Sequence, residues 1–544
     1  MLGSMQDYPL RVSTVIDHAA KYHGKRPVRG RSAEGPIVES NWETVHAKAK
    51  KCAQALARLG YGRGDAIGVM AWNTVRHMEV WYGVSGCGAI LHTLNPRLFA
   101  EQLDYIINHA DDKVIMVDAD LVKLMEALAP RLPKVEKWVI LTDRAHMPET
   151  TLPNPICYEE MVAEEDGDFE WVTGPETDPC GLCYTSGTTG NPKGVLYSHR
   201  SNVLHALTAL QPDCLGGSSN DVILPVVPLF HANGWGLAYV SAMSGASLVM
   251  PGRDMSAAGL YEMLEQGVTA TAAVPTIWLG MLQYLRANNL KFSTLNKVII
   301  GGSSCPRAVI EAFQNDYGAR VIHAWGMTET SPLGSVCTFK PEVMALDEAG
   351  KLDIQTSVGH PPYGVDLRIT DDAENELPWD GKQQGKLWIR GFGVVKRYHN
   401  KDEDAALPGS QWFDTGDVAT MDPNAYVRIT DRSKDVIKSG GEWISSIDLE
   451  NAAVAHPLVA EAAAIGVAHP KWDERPILVI VPVGDEKPPK EEILALVAEH
   501  FAKWQVPDDV IFMDELPHTA TGKISKLELR KKLEGIGYHH PEAA

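Results

Sequence analysis

The sequence predicts an α/β protein with a large N-terminal domain and a small α+β C-terminal domain. Short apolar runs alternate with segments of helical period both before and after residue 184, which is typical of doubly wound parallel sheets. Short β runs separated by turns then occupy residues 359–429, and a compact α+β pattern follows residue 431. We therefore expect two doubly wound α/β subdomains and a small β-barrel-like subdomain within residues 1–431, and the small C-terminal domain within 432–544. A chain of 544 residues is too long for one hydrophobic core.

The first α/β subdomain begins with a helix, because apolar residues recur at helical spacing over 44–59. Its remaining predicted elements are strand 66–70, helix 75–86, strand 89–93, helix 99–110 and strand 114–117.

The second α/β subdomain repeats this pattern. Its predicted strands are 222–227, 247–250, 269–274 and 297–300, and its predicted helices are 261–266 and 277–287.

The β-barrel-like subdomain is predicted from the runs VDLRIT, GKLWIR and YVRIT. For the C-terminal domain we predict helix 447–455, strands 459–467 and 477–483, and helix 490–501. The two domains would join at Asp431-Arg432-Ser433-Lys434.

Composition limits the class of partner. The formal net charge of −20 argues against nucleic acid or an anionic membrane as the main partner. An anionic substrate would therefore need a local cationic pocket. The start has no secretory signal pattern, and no apolar run is long enough for a membrane span. Eight scattered cysteines fit a reducing compartment, so we expect a cytoplasmic protein.

The segment YTSGTTGNPKGVLYSH, residues 184–199, has the chemistry that a polyphosphate needs: hydroxyls, unhindered backbone amides and a cation. Its spacing is not that of a Walker loop, because Lys193 is followed by glycine. Apolar and β-branched residues on both sides predict two strands joined by the loop. The alternative is an ordinary Gly/Thr turn with a solvated lysine. The candidate phosphate-binding residues are Thr185, Ser186, Gly187, Thr188, Thr189, Gly190 and Lys193.

A second candidate segment is HAWGMTETSP, residues 323–332, which follows a predicted strand. Trp325 could stack on a purine, Thr328 could touch a phosphate and Glu329 could bind Mg²⁺. The alternative is a turn with a packed tryptophan. The glycines and serines at 301–304 follow another strand in the same way.

Three further segments carry charged candidate residues. Asp417 in WFDTGD could accept two sugar hydroxyls, or it could be a turn aspartate. Arg432 and Lys434 lie in DRSKDVIKSGGEWIS, where Gly440 and Gly441 permit close backbone approach. A plain linker is the alternative there. Lys523 in LPHTATGKISK, taken alone, looks like solvated surface.

Three patterns are more simply structural. Cys180 and Cys183 form one C-x-x-C with no second pair at metal spacing, so we expect a buried structural role. LGGSS at 215–219 is read as a turn, although it is similar to carrier-protein attachment sites. His231 in PLFHANGW has no second metal ligand at the required spacing.

The five motifs together resemble the adenylate-forming superfamily, which comprises acyl-CoA synthetases, luciferases and peptide-synthetase adenylation domains. The resemblance covers nearly the whole chain, with the motifs in family order. The usual aromatic at position 325 is tyrosine, so Trp325 is a departure that should still stack. The resemblance implies that the protein uses ATP and Mg²⁺, with coenzyme A as a co-substrate.

The resemblance also implies residue roles. It implies a catalytic set of Lys193, His231, Thr328 and Lys523, and Mg²⁺ on Glu329 and Thr185. For nucleotide or CoA binding it implies, besides the phosphate segment, Gly302, Ser303, Ser304, Ala324, Trp325, Gly326, Met327, Thr328, Asp417, Arg432, Lys434, Gly440, Gly441 and Lys523. For the acyl pocket it implies His231, Trp235, Gly302, Gly326 and Pro332.

The implied reaction joins a carboxylic acid to CoA through acyl-AMP, with the C-terminal domain turning about Lys434 between the two steps. The segments VVPLFHANGWGLAY and SGGEWIS look most like those of bacterial short- to medium-chain fatty-acyl-CoA ligases, and among them 3-methylmercaptopropionate-CoA ligases. Trp235 should shorten the pocket, but butyrate or hexanoate would fit the same argument. The rivals are an adenylation domain that loads a carrier protein and a non-catalytic nucleotide-binding protein. Relatives are often homodimers, so we expect one here.

Overall fold

A computed structural model describes residues 3–185, 191–440, 442–484, 486–519, 523–536 and 538. Within these residues the strands, in chain order, are β1 (Pro27–Arg31), β2 (Ile37–Asn41), β3 (Ala66–Met70), β4 (Ile90–Thr93), β5 (Asp112–Asp118), β6 (Lys137–Leu141), β7 (Ile156–Cys157), β8 (Pro179–Tyr184), β9 (Gly194–Ser198), β10 (Val222–Pro225), β11 (Ser247–Met250), β12 (Ala270–Ala273), β13 (Lys297–Gly301), β14 (Arg320–Trp325), β15 (Ser335–Val336), β16 (Val365–Thr370), β17 (Gly385–Gly391), β18 (Phe413–Met421), β19 (Val427–Arg432), β20 (Ile437–Ser439), β21 (Glu442–Ile444), β22 (Val459–His469), β23 (Asp473–Pro482) and β24 (Asp509–Phe512).

The α-helices of the described residues are α1 (Val12–His23), α2 (Trp42–Arg58), α3 (Val75–Gly86), α4 (Ala100–Ala110), α5 (Val122–Leu128), α6 (Tyr158–Ala163), α7 (His199–Ala209), α8 (Leu237–Ser244), α9 (Ala257–Leu264), α10 (Pro275–Ala287), α11 (Arg307–Glu311), α12 (Pro341–Met344), α13 (Glu348–Thr356), α14 (Ser446–Val454), α15 (Lys490–Ala498) and α16 (Lys526–Gly535). None of these is long and apolar enough to cross a membrane.

Helix caps explain where the predicted boundaries shift. The helix predicted over 261–266 begins earlier, at Ala257, because the Ser256 side chain accepts a hydrogen bond from the backbone N–H of Gly259. Similarly, α2 begins at Trp42, where the Asn41 side chain accepts from the Thr44 N–H.

The first α/β subdomain contains a seven-stranded sheet in the order β7-β6-β5-β3-β4-β8-β9. All its neighbours are parallel except β8 and β9, which pair antiparallel with Tyr184 opposite Gly194. The prediction of two strands around the phosphate segment is therefore confirmed.

The second α/β subdomain contains an eight-stranded sheet in the order β15-β14-β13-β12-β10-β11-β1-β2. Its inner strands are parallel, and β15 and β2 are antiparallel edges. The sequence analysis did not predict β1 and β2, which come from the N-terminus. Both are short, and their residues are intermediate or exposed at most positions.

The main hydrophobic core lies between the two large sheets and joins them. Trp42, Trp81 and Tyr239 are almost fully buried in it. The Trp42 indole N–H donates to the carbonyl of Ala246 at 2.8 Å, which ties α2 to the turn after α8. The two α/β subdomains thus form one rigid platform for the residues at their strand ends.

The region predicted to be barrel-like is a four-stranded antiparallel sheet in the order β16-β17-β18-β19. Single bridges between Gly359 and Val427 and between Val336 and His360 connect its β19 edge to β15. These bridges bring β18 and β19 close to the end of β14.

The C-terminal domain has a mixed sheet in the order β21-β20-β23-β22, with β24 parallel to β23. Alternate residues of β22 and β23 face opposite sides. One side packs against Leu449 of α14 and Ile493 of α15, and the other packs against Leu529 and Leu533 of α16. The expected α+β architecture is confirmed.

Candidate active site

A cavity of about 860 Å³ opens where the carboxyl ends of β13 and β14 meet β18, β19 and the C-terminal domain. Ligands of open α/β sheets commonly bind at such strand ends. The predicted residues that line this cavity are Thr185, Lys193, His231, Trp235, Gly302, Ser303, Ser304, Ala324, Trp325, Gly326, Met327, Thr328, Glu329, Pro332, Asp417, Arg432, Lys434 and Lys523. The structure therefore brings together residues that are up to several hundred positions apart in the chain.

The base of the phosphate segment is closed by hydrogen bonds between its two ends. The N–H of Thr185 donates to the carbonyl of Lys193 at 2.9 Å, and the N–H of Lys193 donates to Thr185 Oγ1 at 3.1 Å. Lys193 Nζ lies 4.8 Å from the ring centre of Tyr398. Five predicted phosphate-binding residues, namely Ser186, Gly187, Thr188, Thr189 and Gly190, lie outside the described residues.

Two tyrosines that the sequence analysis missed hold the segment after β14. The Tyr197 hydroxyl donates to the carbonyl of Thr328 at 2.6 Å, and the Tyr398 hydroxyl donates to Glu329 Oε1 at 2.8 Å. Burial and the Glu329 carboxylate raise the pKa of Tyr398 well above its usual value, so this hydroxyl keeps its proton. The segment is thereby fixed at both its backbone and its carboxylate.

Gly326 allows the chain to fold tightly at this point. A Cβ added there would lie 1.5 Å from the carbonyl oxygen of Pro332, so no larger residue fits without moving the backbone.

The predicted sugar-binding carboxylate, Asp417, is held at both oxygens. Its Oδ1 lies 2.9 Å from Arg432 Nε, and its Oδ2 accepts from the indole N–H of Trp325 at 3.1 Å. Burial raises the pKa of Asp417, whereas Arg432 and Trp325 oppose that shift. The side chain is only 2% exposed.

Lys523 reaches this cavity from the C-terminal domain. Its Cε lies 3.9 Å from the position that a Cβ on Gly302 would take. Burial and the nearby Arg432 cation lower the pKa of Lys523 to about 8, against the opposing effect of Asp417 and Glu329. The solvated surface position that the motif alone would indicate is therefore wrong.

The segment with His231 and Trp235 contains a left-handed turn. Residues 232–236 have φ values of 36°, 40°, 59°, 54° and 71°, and three of them are not glycine, so the turn is conformationally costly. Thr93 Oγ1 donates to Asn233 Oδ1 at 3.0 Å and anchors it. A Cβ on Gly236 would lie 2.4 Å from the His205 ring.

This turn directs His231 and Trp235 into the cavity. The Trp235 indole packs against Gly301, where an added Cβ would approach the ring to 3.1 Å. Burial and Lys523 lower the pKa of His231 to about 3, so the imidazole is neutral at physiological pH. Sequence reasoning missed the buried His205, which lies beside this turn and also lines the cavity.

The predicted junction between the domains carries a dense hydrogen-bond network. Asp431 Oδ2 accepts from the Ser446 N–H at 2.8 Å and from the Ser446 hydroxyl at 2.5 Å. Across the cavity, Asn451 Nδ2 donates to Ser304 Oγ at 3.2 Å. Lys434 lines the cavity beside this network.

Of the two predicted CoA glycines, Gly440 does not line this cavity. The Gly440 N–H donates to the carbonyl of Trp472 at 2.8 Å, on the C-terminal domain, and Gly441 lies outside the described residues.

The metal-binding side chains of the cavity suit a Mg²⁺ ion that is bound together with a nucleotide. Mg²⁺ usually takes one or two protein carboxylates together with substrate phosphates, and Glu329 is the carboxylate beside the phosphate segment. Among the residues that the structure describes, no group of three or more His, Cys, Asp or Glu side chains could hold a metal alone. Cys180 and Cys183 are buried free thiols, as expected.

Two family models match this chain. The model described as AMP-binding enzyme matches residues 16–399, and the model described as AMP-binding enzyme C-terminal domain matches residues 448–523.

Curated relatives match over almost the whole length. A 3-methylmercaptopropionyl-CoA ligase of Ruegeria lacuscaerulensis is 47% identical, covering 98% of this chain and 99% of the relative. A medium-chain-fatty-acid–CoA ligase of Ectopseudomonas oleovorans is 44% identical, covering 98% of each. Among solved structures, the anthranilate CoA ligase AuaEII in complex with anthranoyl-AMP matches with a TM-score of 0.85 at 23% identity, covering 97% of this chain and 99% of that one. The last match supports the fold alone.

Proposed function

We propose, from the premise that this chain belongs to the AMP-binding enzyme family, that its acid substrate has a short or medium chain. The chain is an ATP-dependent, AMP-forming acyl-CoA ligase that uses Mg²⁺ and has coenzyme A as co-substrate. The relative at 47% identity is named for 3-methylmercaptopropionate, and we infer that this acid, or a fatty acid of similar length, is the preferred substrate.

One observation carries the proposed mechanism: Lys523 of the C-terminal domain lies in the cavity with Glu329, Asp417 and Arg432. In the first step, a carboxylate oxygen of the acid attacks the α-phosphorus of ATP. The bond to pyrophosphate breaks and acyl-AMP forms. Lys523 neutralises charge that develops on the α-phosphate, and such a preorganised cation is typically worth about 3–4 kcal/mol in the transition state.

The remaining residues position the reactants. Lys193 and the phosphate segment hold the β- and γ-phosphates, and Thr328 contacts the α-phosphate. Glu329 and Thr185 would hold Mg²⁺, which supplies charge neutralisation at the phosphates. The neutral His231 lies beside the reacting carboxylate, where it can donate a hydrogen bond without adding a competing cation.

The acyl chain binds against Trp235, and the same pocket includes Gly302, Gly326 and Pro332. A methylthio group is polarisable and makes favourable contacts with aromatic rings, which supports 3-methylmercaptopropionate. The indole occupies space that a longer chain would need, which supports short and medium chains generally.

In the second step, the CoA thiol attacks the acyl carbon, the bond to AMP breaks and the thiol proton is released. We infer that residues 432–544 turn about Lys434 between the steps, withdrawing Lys523 and bringing Gly440 and Gly441 to a CoA channel. The present contact of Lys523 with the cavity corresponds to the first step.

We also infer a cytoplasmic homodimer. The eight buried free thiols support a reducing compartment. Ile37 and Val38 are more than one-third exposed on the outer strand β2, and an unpaired edge of this kind can pair with a second copy. Light scattering of the purified protein tests the dimer.

The function is tested by measuring AMP and pyrophosphate release with ATP, Mg²⁺, CoA and a panel of propionate, butyrate, hexanoate, octanoate and 3-methylmercaptopropionate. We expect the highest kcat/KM among the short and medium acids. Absence of acid-dependent ATP–pyrophosphate exchange with every acid would refute the ligase assignment. A requirement for a pantetheinylated carrier protein in place of CoA would indicate the carrier-loading alternative.

A further inference from the structure

Trp325 and Asp417 form a hydrogen bond between two different sheets. Trp325 ends β14 of the eight-stranded sheet, and Asp417 lies within β18 of the four-stranded sheet. The indole Nε1–H donates to Asp417 Oδ2 at 3.1 Å, while Arg432 Nε lies 2.9 Å from Oδ1. Each oxygen of this buried carboxylate therefore has one fixed donor.

The direction of the indole donor is set by packing. A Cβ on Gly334 would lie 2.3 Å from the Trp325 ring, so the ring lies directly on the Gly334 backbone. The Gly334 N–H also donates to the carbonyl of Trp325 at 2.9 Å. Because the indole nitrogen is a donor only, this ring presents one N–H in one direction.

The two fixed donors leave acceptor capacity on Asp417. An ionised carboxylate has about four lone-pair sites, of which Trp325 and Arg432 use two. Asp417 also lines the cavity, so a ligand in the cavity can reach the remaining sites. Two vicinal hydroxyls, such as those of a ribose, match two acceptor sites on one carboxylate.

We propose that Trp325 is a positioning residue for Asp417: its indole N–H fixes the carboxylate plane so that both free acceptor sites face the ribose hydroxyls of the nucleotide. This inference rests on the proposed function, because it assumes that the ligand is ATP. A site that hydrogen-bonds a substrate hydroxyl discriminates against analogues that lack it. Trp325 therefore contributes to sugar selectivity through Asp417, in addition to any contact of its ring with the base.

Stacking on the base and orientation of Asp417 can be separated by changing the sugar. ATP, 2′-deoxy-ATP and 3′-deoxy-ATP carry the same adenine, so a stacking contact contributes equally to kcat/KM for all three. The orientation of Asp417 affects kcat/KM only where the nucleotide has the hydroxyl that Asp417 binds. The ratio of kcat/KM for ATP to that for each deoxynucleotide therefore reports on the contacts to the ribose hydroxyls, including those of Asp417, and not on stacking.

The test compares this ratio in the wild type and in Trp325→Phe, which keeps an aromatic face but lacks the N–H. We expect Trp325→Phe to reduce the preference for ATP over 2′-deoxy-ATP or 3′-deoxy-ATP by about tenfold, in line with the loss of one hydrogen bond to a charged group. An equal loss of kcat/KM for all three nucleotides would overturn the proposal and leave stacking as the role of Trp325.

Trp388→Phe is the matched control. Trp388 lies on β17 of the same four-stranded sheet and donates its indole N–H to Thr370 Oγ1 at 2.8 Å, in a buried site that does not line the cavity. The Trp388→Phe variant loses the same kind of hydrogen bond, and we expect its preference for ATP over the deoxynucleotides to equal that of the wild type. A reduced preference in Trp388→Phe would show that disturbance of the sheet suffices and would overturn the specific role of Trp325.

Calorimetric binding of ATP and 2′-deoxy-ATP, without acid or CoA, separates this inference from the ligase function. If no acid supports turnover but Trp325→Phe still reduces the binding preference, the proposed function fails and the positioning role stands. If turnover is normal and the preference is unchanged, the positioning role fails alone. Should Trp325→Phe not fold, Trp325→Met provides the second variant, because its side chain has no hydrogen-bond donor and any lost stacking affects all three nucleotides equally.

Discussion

Tyr398 donates its hydroxyl hydrogen to Glu329 Oε1 at 2.8 Å, and the same ring faces Lys193 Nζ at 4.8 Å. One aromatic side chain thus contacts both the predicted Mg²⁺ ligand and the predicted phosphate-binding lysine. Groups that orient a metal ligand typically change metal affinity by about 10- to 100-fold when they are removed.

We expect Tyr398→Phe to raise the Mg²⁺ concentration needed for half-maximal ATP–pyrophosphate exchange by about tenfold. The ring and its contact with Lys193 remain, so the change isolates the hydroxyl. Tyr426→Phe is the control, because the Tyr426 hydroxyl donates to the carbonyl of Thr338 in a buried site away from the cavity. An unchanged Mg²⁺ requirement in Tyr398→Phe would show that Glu329 does not depend on this contact.

Lys523→Ala should strongly slow acyl-AMP formation while sparing thioester formation from supplied acyl-AMP, because Lys523 contacts the cavity only in the first step of our mechanism. We expect a loss of about 10²- to 10³-fold in the first half-reaction. Lys531→Ala, which removes an exposed lysine of α16 paired with Glu528, should alter neither half-reaction.

Lys434→Pro should give the reciprocal result, with acyl-AMP formation retained and CoA transfer reduced, since proline restricts the backbone at the predicted pivot. Equal losses in both half-reactions for either variant would contradict a mechanism with two domain orientations.

The rate of the first half-reaction should depend on pH through Lys523. This side chain acts as a cation, and the charged form of a lysine predominates below its pKa. Because burial and Arg432 lower that pKa to about 8, kcat/KM for ATP should be constant below pH 8 and should fall as the pH rises through it. The imidazole of His231, whose pKa is lowered to about 3, should add no acidic limb between pH 5 and 7. A flat profile from pH 7 to 10 would contradict the lowered pKa of Lys523.

Trp235→Ala should shift substrate preference toward longer acids. Removing the indole opens space next to Gly301, and each additional buried methylene contributes about 0.8 kcal/mol, or roughly fourfold in kcat/KM. The ratio of kcat/KM for octanoate to that for butyrate measures the shift. Trp235→Phe retains part of the wall and should move the ratio less. If neither variant changes the ratio, Trp235 does not limit the acyl pocket.

Gly236→Ala should destabilise the fold more than Gly267→Ala. Both glycines have positive φ values, 71° and 83°, so both substitutions carry the left-handed penalty of roughly 1–2 kcal/mol. A Cβ at Gly236 also meets the His205 ring at 2.4 Å, whereas nothing lies within 4 Å at Gly267. We expect an additional loss of about 1–3 kcal/mol for Gly236→Ala in urea unfolding. Equal losses would mean that the His205 ring moves freely.

The sequence was sufficient to predict the main layers of the fold, and every described candidate site residue except Gly440 lines the cavity. Apolar runs and helical periodicity indicate many of the strands and helices of both large subdomains, and the β8–β9 pair follows from the residues around the phosphate segment. The elements that were not predicted include β6, β7, α1, α7 and α8. The strands β1 and β2 were missed because most of their side chains are only partly buried, so neither has a continuous apolar run.

Contacts between distant segments could not be predicted from local patterns. Tyr398 lies in none of the five motifs, and its role depends on a fold that brings it to Glu329. The Trp325–Asp417 hydrogen bond joins residues of different sheets, and stacking alone was predicted for Trp325. The lowered pKa of Lys523 likewise depends on the burial of this side chain and on the Arg432 cation that the fold brings near it.

The left-handed turn at residues 232–236 also bears on enzyme engineering. Two contacts anchor the turn: Thr93 donates a hydrogen bond to Asn233, and the His205 ring packs against Gly236. Neither contact involves the indole of Trp235. If Trp235 limits the acyl pocket as we propose, exchanging this one side chain should retune acid selectivity on an otherwise unaltered scaffold, and position 235 is then a natural starting point for library design.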